Sequence, residues 1–113
     1  MLPGDLAICR LDARAAVPDW ALGGRLFSII RTADELSVVC PSRRIPHGVR
    51  CDKGWRCLKV EGPLDLAETG VLASLAAPLA RTGISLFALS TFDTDYLLIK
   101  ARNLAKVAKG SHL

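Results

Sequence analysis

The stretch Glu68-Thr-Gly-Val-Leu-Ala-Ser-Leu-Ala-Ala-Pro-Leu-Ala-Arg-Thr-Gly-Ile-Ser-Leu-Phe-Ala-Leu-Ser-Thr-Phe-Asp-Thr-Asp-Tyr-Leu-Leu-Ile-Lys100 changes hydrophobic period halfway along, and that change decides the fold. Leu72, Leu75 and Leu79 fall at i, i+3 and i+7, one apolar stripe on a helix within residues 65–82, and the intervening alanines allow close approach to a sheet. Asp65 with Glu68 three residues on resembles a capping box. Thr69 as N-cap instead places Gly70 in the first turn, where glycine does little harm, and is the better start. Pro78 removes a backbone donor late in the helix and bends it, and Gly83 ends it. Ile84 to Ser90 and Tyr96 to Lys100 then read as two strands of a hairpin around Thr91-Phe-Asp-Thr-Asp95.

Working outward, Leu6 to Leu11 alternates as a strand, and Ala15 to Gly24, interrupted by Pro18, gives at best a short helix. Leu26 to Ile30 and Leu36 to Cys40 form a first hairpin. Pro41 to Gly54, with two prolines and two glycines among basic residues, reads as a loop and as the internal boundary, dividing the chain into residues 1–54 and 55–113. Trp55 to Val60 is a further strand, and Asn103 to Lys109 can form a terminal helix. At an offset of 60 the hairpins resemble each other: Leu26-Phe27 matches Leu86-Phe87, and Leu36, Val38 and Val39 match Tyr96, Leu98 and Ile99. The order of elements supports an α+β chain of two related βαββ-type units, each burying one sheet face under helices.

The chain has 113 residues, half of them hydrophobic, which excludes disorder and suffices for a real core. Its longest apolar run, Val71 to Ala80, is too short to span a membrane, and no basic segment precedes an apolar block at the N-terminus. A cytoplasmic location is the expectation, with Cys9, Cys40, Cys51 and Cys57 as thiols. The net charge of +4 conceals a pattern: residues 1–41 sum to −1, 42–60 to +5, 61–99 to −4 and 100–113 to +4.

No nucleophile and base arrangement or phosphate-binding loop is present, so catalytic residues are not expected and the chain is read as a non-enzyme. Cys40, His47, Cys51 and Cys57 lie near one another, but C-x6-H-x3-C-x5-C lacks the paired knuckle of zinc sites, so neither a metal nor a cofactor is expected. The basic residues Arg43, Arg44, Arg50, Lys53, Arg56 and Lys59 have only Trp55 as an aromatic companion, which fits a solvated loop better than a nucleic-acid surface. Glu68-Thr-Gly-Val71 offers free backbone N–H groups at a helix start, suited to a carboxylate. Asp95 on the following hairpin can partner an ammonium. Together they suit the two ends of an amino acid. The same residues also serve as ordinary turn and cap formers, and the spacing alone leaves both readings open.

The run from Gly83 to Tyr96, Gly-Ile-Ser-x-Phe-x-x-Ser-Thr-Phe-x-Thr-Asp-Tyr, with the Gly70-x-Leu72 signal before it, resembles an ACT domain of the bacterial proteins related to the ACT modules of CASTOR arginine sensors and aspartokinases. The match is strong over about a third of the chain, and Phe27 to Cys40 extends it more weakly. The resemblance implies a ferredoxin-like βαββαβ fold in two tandem units, the first degenerate, with an amino acid bound where ACT units meet. It implies backbone contacts from Glu68, Thr69, Gly70 and Val71 and side-chain contacts from Thr91, Phe92 and Asp95. The first-half hairpin carries Thr32-Ala-Asp-Glu35 at the equivalent turn, and no closing strand follows Lys109, so Leu6 to Leu11 or a partner chain is expected to complete that sheet as part of a homodimer. No nucleic-acid or membrane partner is implied. The alternative function is a ligand-free interaction module on the same scaffold.

Overall fold

The computed structural model describes residues 2–59 and 83–104. Six strands form in chain order: β1 (Leu6–Leu11), β2 (Ser28–Arg31), β3 (Leu36–Pro41), β4 (Cys51–Lys59), β5 (Leu86–Ser90) and β6 (Asp95–Lys100). The helix expected within residues 65–82 and most of the terminal helix from Asn103 lie outside the described residues. The short helix expected over Ala15 to Gly24 is a single 3-10 turn, Asp19–Ala21, opening directly after Pro18. Further 3-10 turns cover Ser42–Arg44 and Ala101–Asn103.

The chain divides into two compact units, residues 4–54, and residues 1–3 with 55–113. In the first unit the strand order is β2-β3-β1, and the opening residues of β4 lie beside β1. All pairings with β3 are antiparallel: Cys9 faces Val38 and Ala7 faces Cys40 across β1 and β3, while Ile29 faces Val38 across β2 and β3. Because side chains alternate across a strand, this register collects Ala7, Cys9, Leu36, Val38 and Cys40 on one face, where they form a buried cluster with Ala21. Arg31 donates to the carbonyls of Ala13 and, at 2.6 Å, Ala15, which ties the segment after β1 to the hairpin. Arg44 donates from Nε to the Trp20 carbonyl at 3.0 Å and holds the 3-10 turn.

In the second unit β4, β6 and β5 form an antiparallel sheet, with Trp55 opposite Lys100, Cys57 opposite Leu98, and Leu98 opposite Phe87. Leu97, Leu98 and Ile99 are buried side by side, so β6 is covered on both faces, as the continuous apolar run Tyr96 to Ile99 requires. Phe87 meets the Trp55 ring edge-on at 6.5 Å, and the Lys100 ammonium sits 4.9 Å from its centroid.

Two expectations are corrected. Cys51 to Gly54 belongs to a strand and not to the preceding loop. Gly54, at φ +83°, gives the strand a conformation that other residues rarely adopt, which removed the usual strand signal from the sequence. The pairs that close the two hairpins lie at an offset of 59, not 60. Arg31 and Leu36 flank the first turn as Ser90 and Asp95 flank the second, and Thr32 therefore corresponds to Thr91. A one-residue shift exchanges the two faces of a strand, so an offset of 60 sets Leu36 against Tyr96, a residue of the opposite face.

Candidate functional site

The residues expected to hold a ligand meet different fates. Glu68, Thr69, Gly70 and Val71 lie outside the described residues. Thr91 and Phe92 lie in the turn between β5 and β6, and Asp95 opens β6 on the same hairpin. The Thr91 N–H donates to the Thr94 carbonyl at 2.8 Å, its hydroxyl donates to the same carbonyl at 3.0 Å, and the Thr94 N–H donates back to that hydroxyl at 3.2 Å. The hydroxyl is thus engaged in closing the turn, the role such residues take in local caps. Phe92 projects from the tip with 80% of its surface exposed. Asp95 starts β6, half-buried and paired with Ser90 in the ladder.

The first hairpin repeats the same device. The Thr32 N–H donates to the Glu35 carbonyl at 2.9 Å, and the Thr32 hydroxyl accepts from the N–H groups of Asp34 and Glu35, each at 3.1 Å. Both turns therefore use a threonine at the position after the strand, with different residues exposed at the tip.

A second constellation, in the first unit, was not legible in the sequence. Cys9, Cys40 and Cys51 pack into one cluster. Burial pushes the Cys9 thiol up to about 12, with the neighbouring sulfurs adding to the rise, and burial likewise raises Cys40. Cys57 belongs to the other unit, and its burial pushes it up to about 11. Cys51 alone of the four is not buried. The set weighed from sequence for zinc is thus regrouped: Cys9 replaces Cys57, and His47 sits exposed in a loop. Among the described residues no cluster of His, Cys, Asp and Glu fits a metal ion. Only the pairing of β1 with its neighbours brings Cys9 to this place, and spacing along the chain carries no sign of it.

On the face of the sheet opposite the thiols lies an open pocket of about 240 Å³, whose wall includes Arg10, Glu35, Ser37, Arg50 and Asp52. Arg10 also donates to the Asp34 carbonyl at 3.0 Å, which fixes its guanidinium near the first hairpin turn. No helix among the described residues is long and apolar enough to cross a membrane.

Comparison with known proteins adds the family. The model of the ACT domain matches residues 50–109, and a second model, described as an N-terminal domain, matches residues 4–48. The human cytosolic arginine sensor for mTORC1 subunit 1 is 37% identical over 54 residues, 47% of this chain and 16% of the sensor. The chain therefore spans about a sixth of the length of that relative. A crystal structure from Agobacterium tumefaciens is 49% identical, with a TM-score of 0.88 over 94% of this chain and 79% of that one. The aspartate kinase of Clostridium acetobutylicum, at 9% identity, shares the fold over 95% of this chain and 32% of its own, with a TM-score of 0.62. With the antiparallel hairpins in place and the family model covering more than half of its length, the chain belongs to the ACT domain family.

Proposed function

We propose that the protein is a regulatory module that binds an amino acid at an interface between ACT units and is not itself an enzyme. The observation that carries this reading is the ACT match over residues 50–109, which takes in every proposed contact, joined to the similarity to an arginine sensor. In this reading the backbone of Glu68, Thr69, Gly70 and Val71 receives the ligand carboxylate, and Asp95 pairs with its ammonium group. Phe92 covers the apolar part of the ligand, and Thr91 holds the turn that presents both. The net charge of −4 over residues 61–99 favours a ligand with additional positive charge, such as arginine. The ferredoxin-like units stand in tandem with the first degenerate, and two cytoplasmic chains pair to complete the interface.

Ligand binding in such a module biases the packing of its units only as far as it contacts their arrangements differently. A thermal-shift screen of the twenty amino acids tests the reading. A ligand at 100 times its Kd stabilises by about 2.7 kcal/mol, and a shift with arginine or another amino acid is the expected result. No shift with any of the twenty would refute it.

A second reading, an interaction module that holds no ligand, is favoured by two observations. Phe92 is 80% exposed, and the Thr91 hydroxyl is already engaged within its own turn. The same screen separates the two readings.

A further inference from the structure

The core of the first unit occupies one face of its sheet and leaves the other to the charged pocket. Cys9, Val38 and Cys40 belong to the buried cluster, so by alternation Ile8 and Arg10 on β1, Glu35 and Ser37 at the start of β3, and Arg50 and Asp52 at the start of β4 lie on the opposite face. Arg10 stands at the centre of this group. It faces Ser37 across β1 and β3, and its N–H donates to the Arg50 carbonyl at 2.9 Å on the other side. Its guanidinium is oriented by the Asp34 carbonyl at 3.0 Å, which leaves further N–H groups for another acceptor. Glu35 is held at its backbone by Thr32, whose N–H reaches the Glu35 carbonyl at 2.9 Å and whose hydroxyl accepts the Glu35 N–H at 3.1 Å. Among the described residues no ion pair joins Glu35 to Arg10 or to Arg50. Charges of both signs thus stand around one opening on fixed backbones without neutralising each other by contact. At about 240 Å³ the pocket is smaller than the roughly 300–1,000 Å³ of drug-sized sites and has room for a molecule of amino-acid size.

We propose that this pocket is a second binding site, for one free α-amino acid with a neutral aliphatic side chain, separate from the ligand site proposed on residues 68–95. The ligand carboxylate accepts from Arg10 and Arg50, on adjacent strands, in charge-assisted hydrogen bonds. The ammonium group donates to the Glu35 carboxylate and to the Ser37 hydroxyl. Ile8 lies two residues from Arg10 on the same face of β1, about 7 Å along the strand, and offers the apolar surface on which the side chain rests. The mixture of charges sets the selectivity. A simple carboxylic acid meets Glu35 and Asp52 as well as the arginines, and a simple amine meets the arginines as well as the carboxylates, so only a zwitterion is matched at both ends. Asp52 also disfavours an acidic side chain. Nothing in this site draws on the ACT hairpin, and its ligand differs from the cationic one favoured there.

The test is equilibrium dialysis of the full chain against L-valine, isovalerate and isobutylamine, the last two lacking the ammonium and the carboxylate respectively. The expected result is saturable binding of L-valine, with each of the other two weaker by roughly tenfold or more, the size of a lost hydrogen bond to a charged group. Glu35→Gln and Arg50→Gln should each weaken L-valine to a similar extent, and Glu35→Gln should also narrow the gap between L-valine and isovalerate. Asp95→Ala should bind L-valine as the parent chain does, which separates this site from the one on the ACT hairpin. Circular dichroism checks that each variant is folded, and the comparison of the three compounds on the unsubstituted chain decides the charge requirement without them. Absence of saturable L-valine binding, equal binding of the three compounds, full binding by both Glu35→Gln and Arg50→Gln, or loss of L-valine binding in Asp95→Ala would each overturn the proposal.

Discussion

At the scale of the residue, Thr32 and Thr91 show one side chain closing two turns in the same way. The Thr32 hydroxyl serves two backbone N–H groups and the Thr91 hydroxyl one, both in exposed turns where water partly replaces what is lost. Thr32→Ala should therefore cost about 1 kcal/mol and Thr91→Ala somewhat less, read from urea midpoints at unchanged slope. The buried thiols make a second prediction. Below pH 9 they are protonated whether the chain is folded or not. Above that, the unfolded chain releases protons that folded Cys9 keeps to about 12 and Cys57 to about 11, so stability falls as pH rises through that window. The urea midpoint should drop from pH 8 to about pH 10, and Cys9→Ala should reduce the drop. A midpoint that rises would contradict the assigned burial.

At the scale of the element, the strands with alternating or β-branched patterns were readable, because a half-buried strand imposes its period on the sequence. Leu6–Leu11 formed over the range expected, and both hairpins formed where the apolar runs predicted them. The start of β4 was not readable, since Cys51-Asp-Lys-Gly54 has neither alternation nor β-branched residues. Register was likewise hidden, and with it the meeting of Cys9, Cys40 and Cys51, because pairing is set by contacts between segments and not within them. Of the proposed ligand site, Thr91, Phe92 and Asp95 were correctly placed on one hairpin, whereas the engagement of the Thr91 hydroxyl required the turn geometry. The segment before the first hairpin offers its own test. Gly24 has φ +90°, and a Cβ there would lie 2.5 Å from Pro41 Cγ, a rigid neighbour. At Gly23 the Cβ would meet only the Arg44 guanidinium, the end of a long side chain whose displacement would cost its bond to the Trp20 carbonyl. Gly24→Ala should thus cost roughly 2 kcal/mol or more and Gly23→Ala about half as much, as thermal denaturation would report.

At the scale of the whole molecule, the net charge of +4 gives a poor picture of function. Two of the basic residues in 42–60 are committed to the fold, Arg44 to the Trp20 carbonyl and Arg56 to the Leu2 carbonyl at 3.3 Å. The acidic segment 61–99 carries the family signature. For the proposed homodimer, sedimentation at micromolar concentration should give twice the mass of the 12.1 kDa chain, and a monomer alone would exclude it. The most direct test of the amino-acid reading is calorimetric titration of the chain and of its Asp95→Ala variant with arginine, followed by whichever amino acid gives the largest thermal shift. Saturable heat with the parent chain, lost in a variant that remains folded, is the predicted result. Equal binding by Asp95→Ala would contradict the site, and the absence of binding by the parent chain to every amino acid would contradict the function.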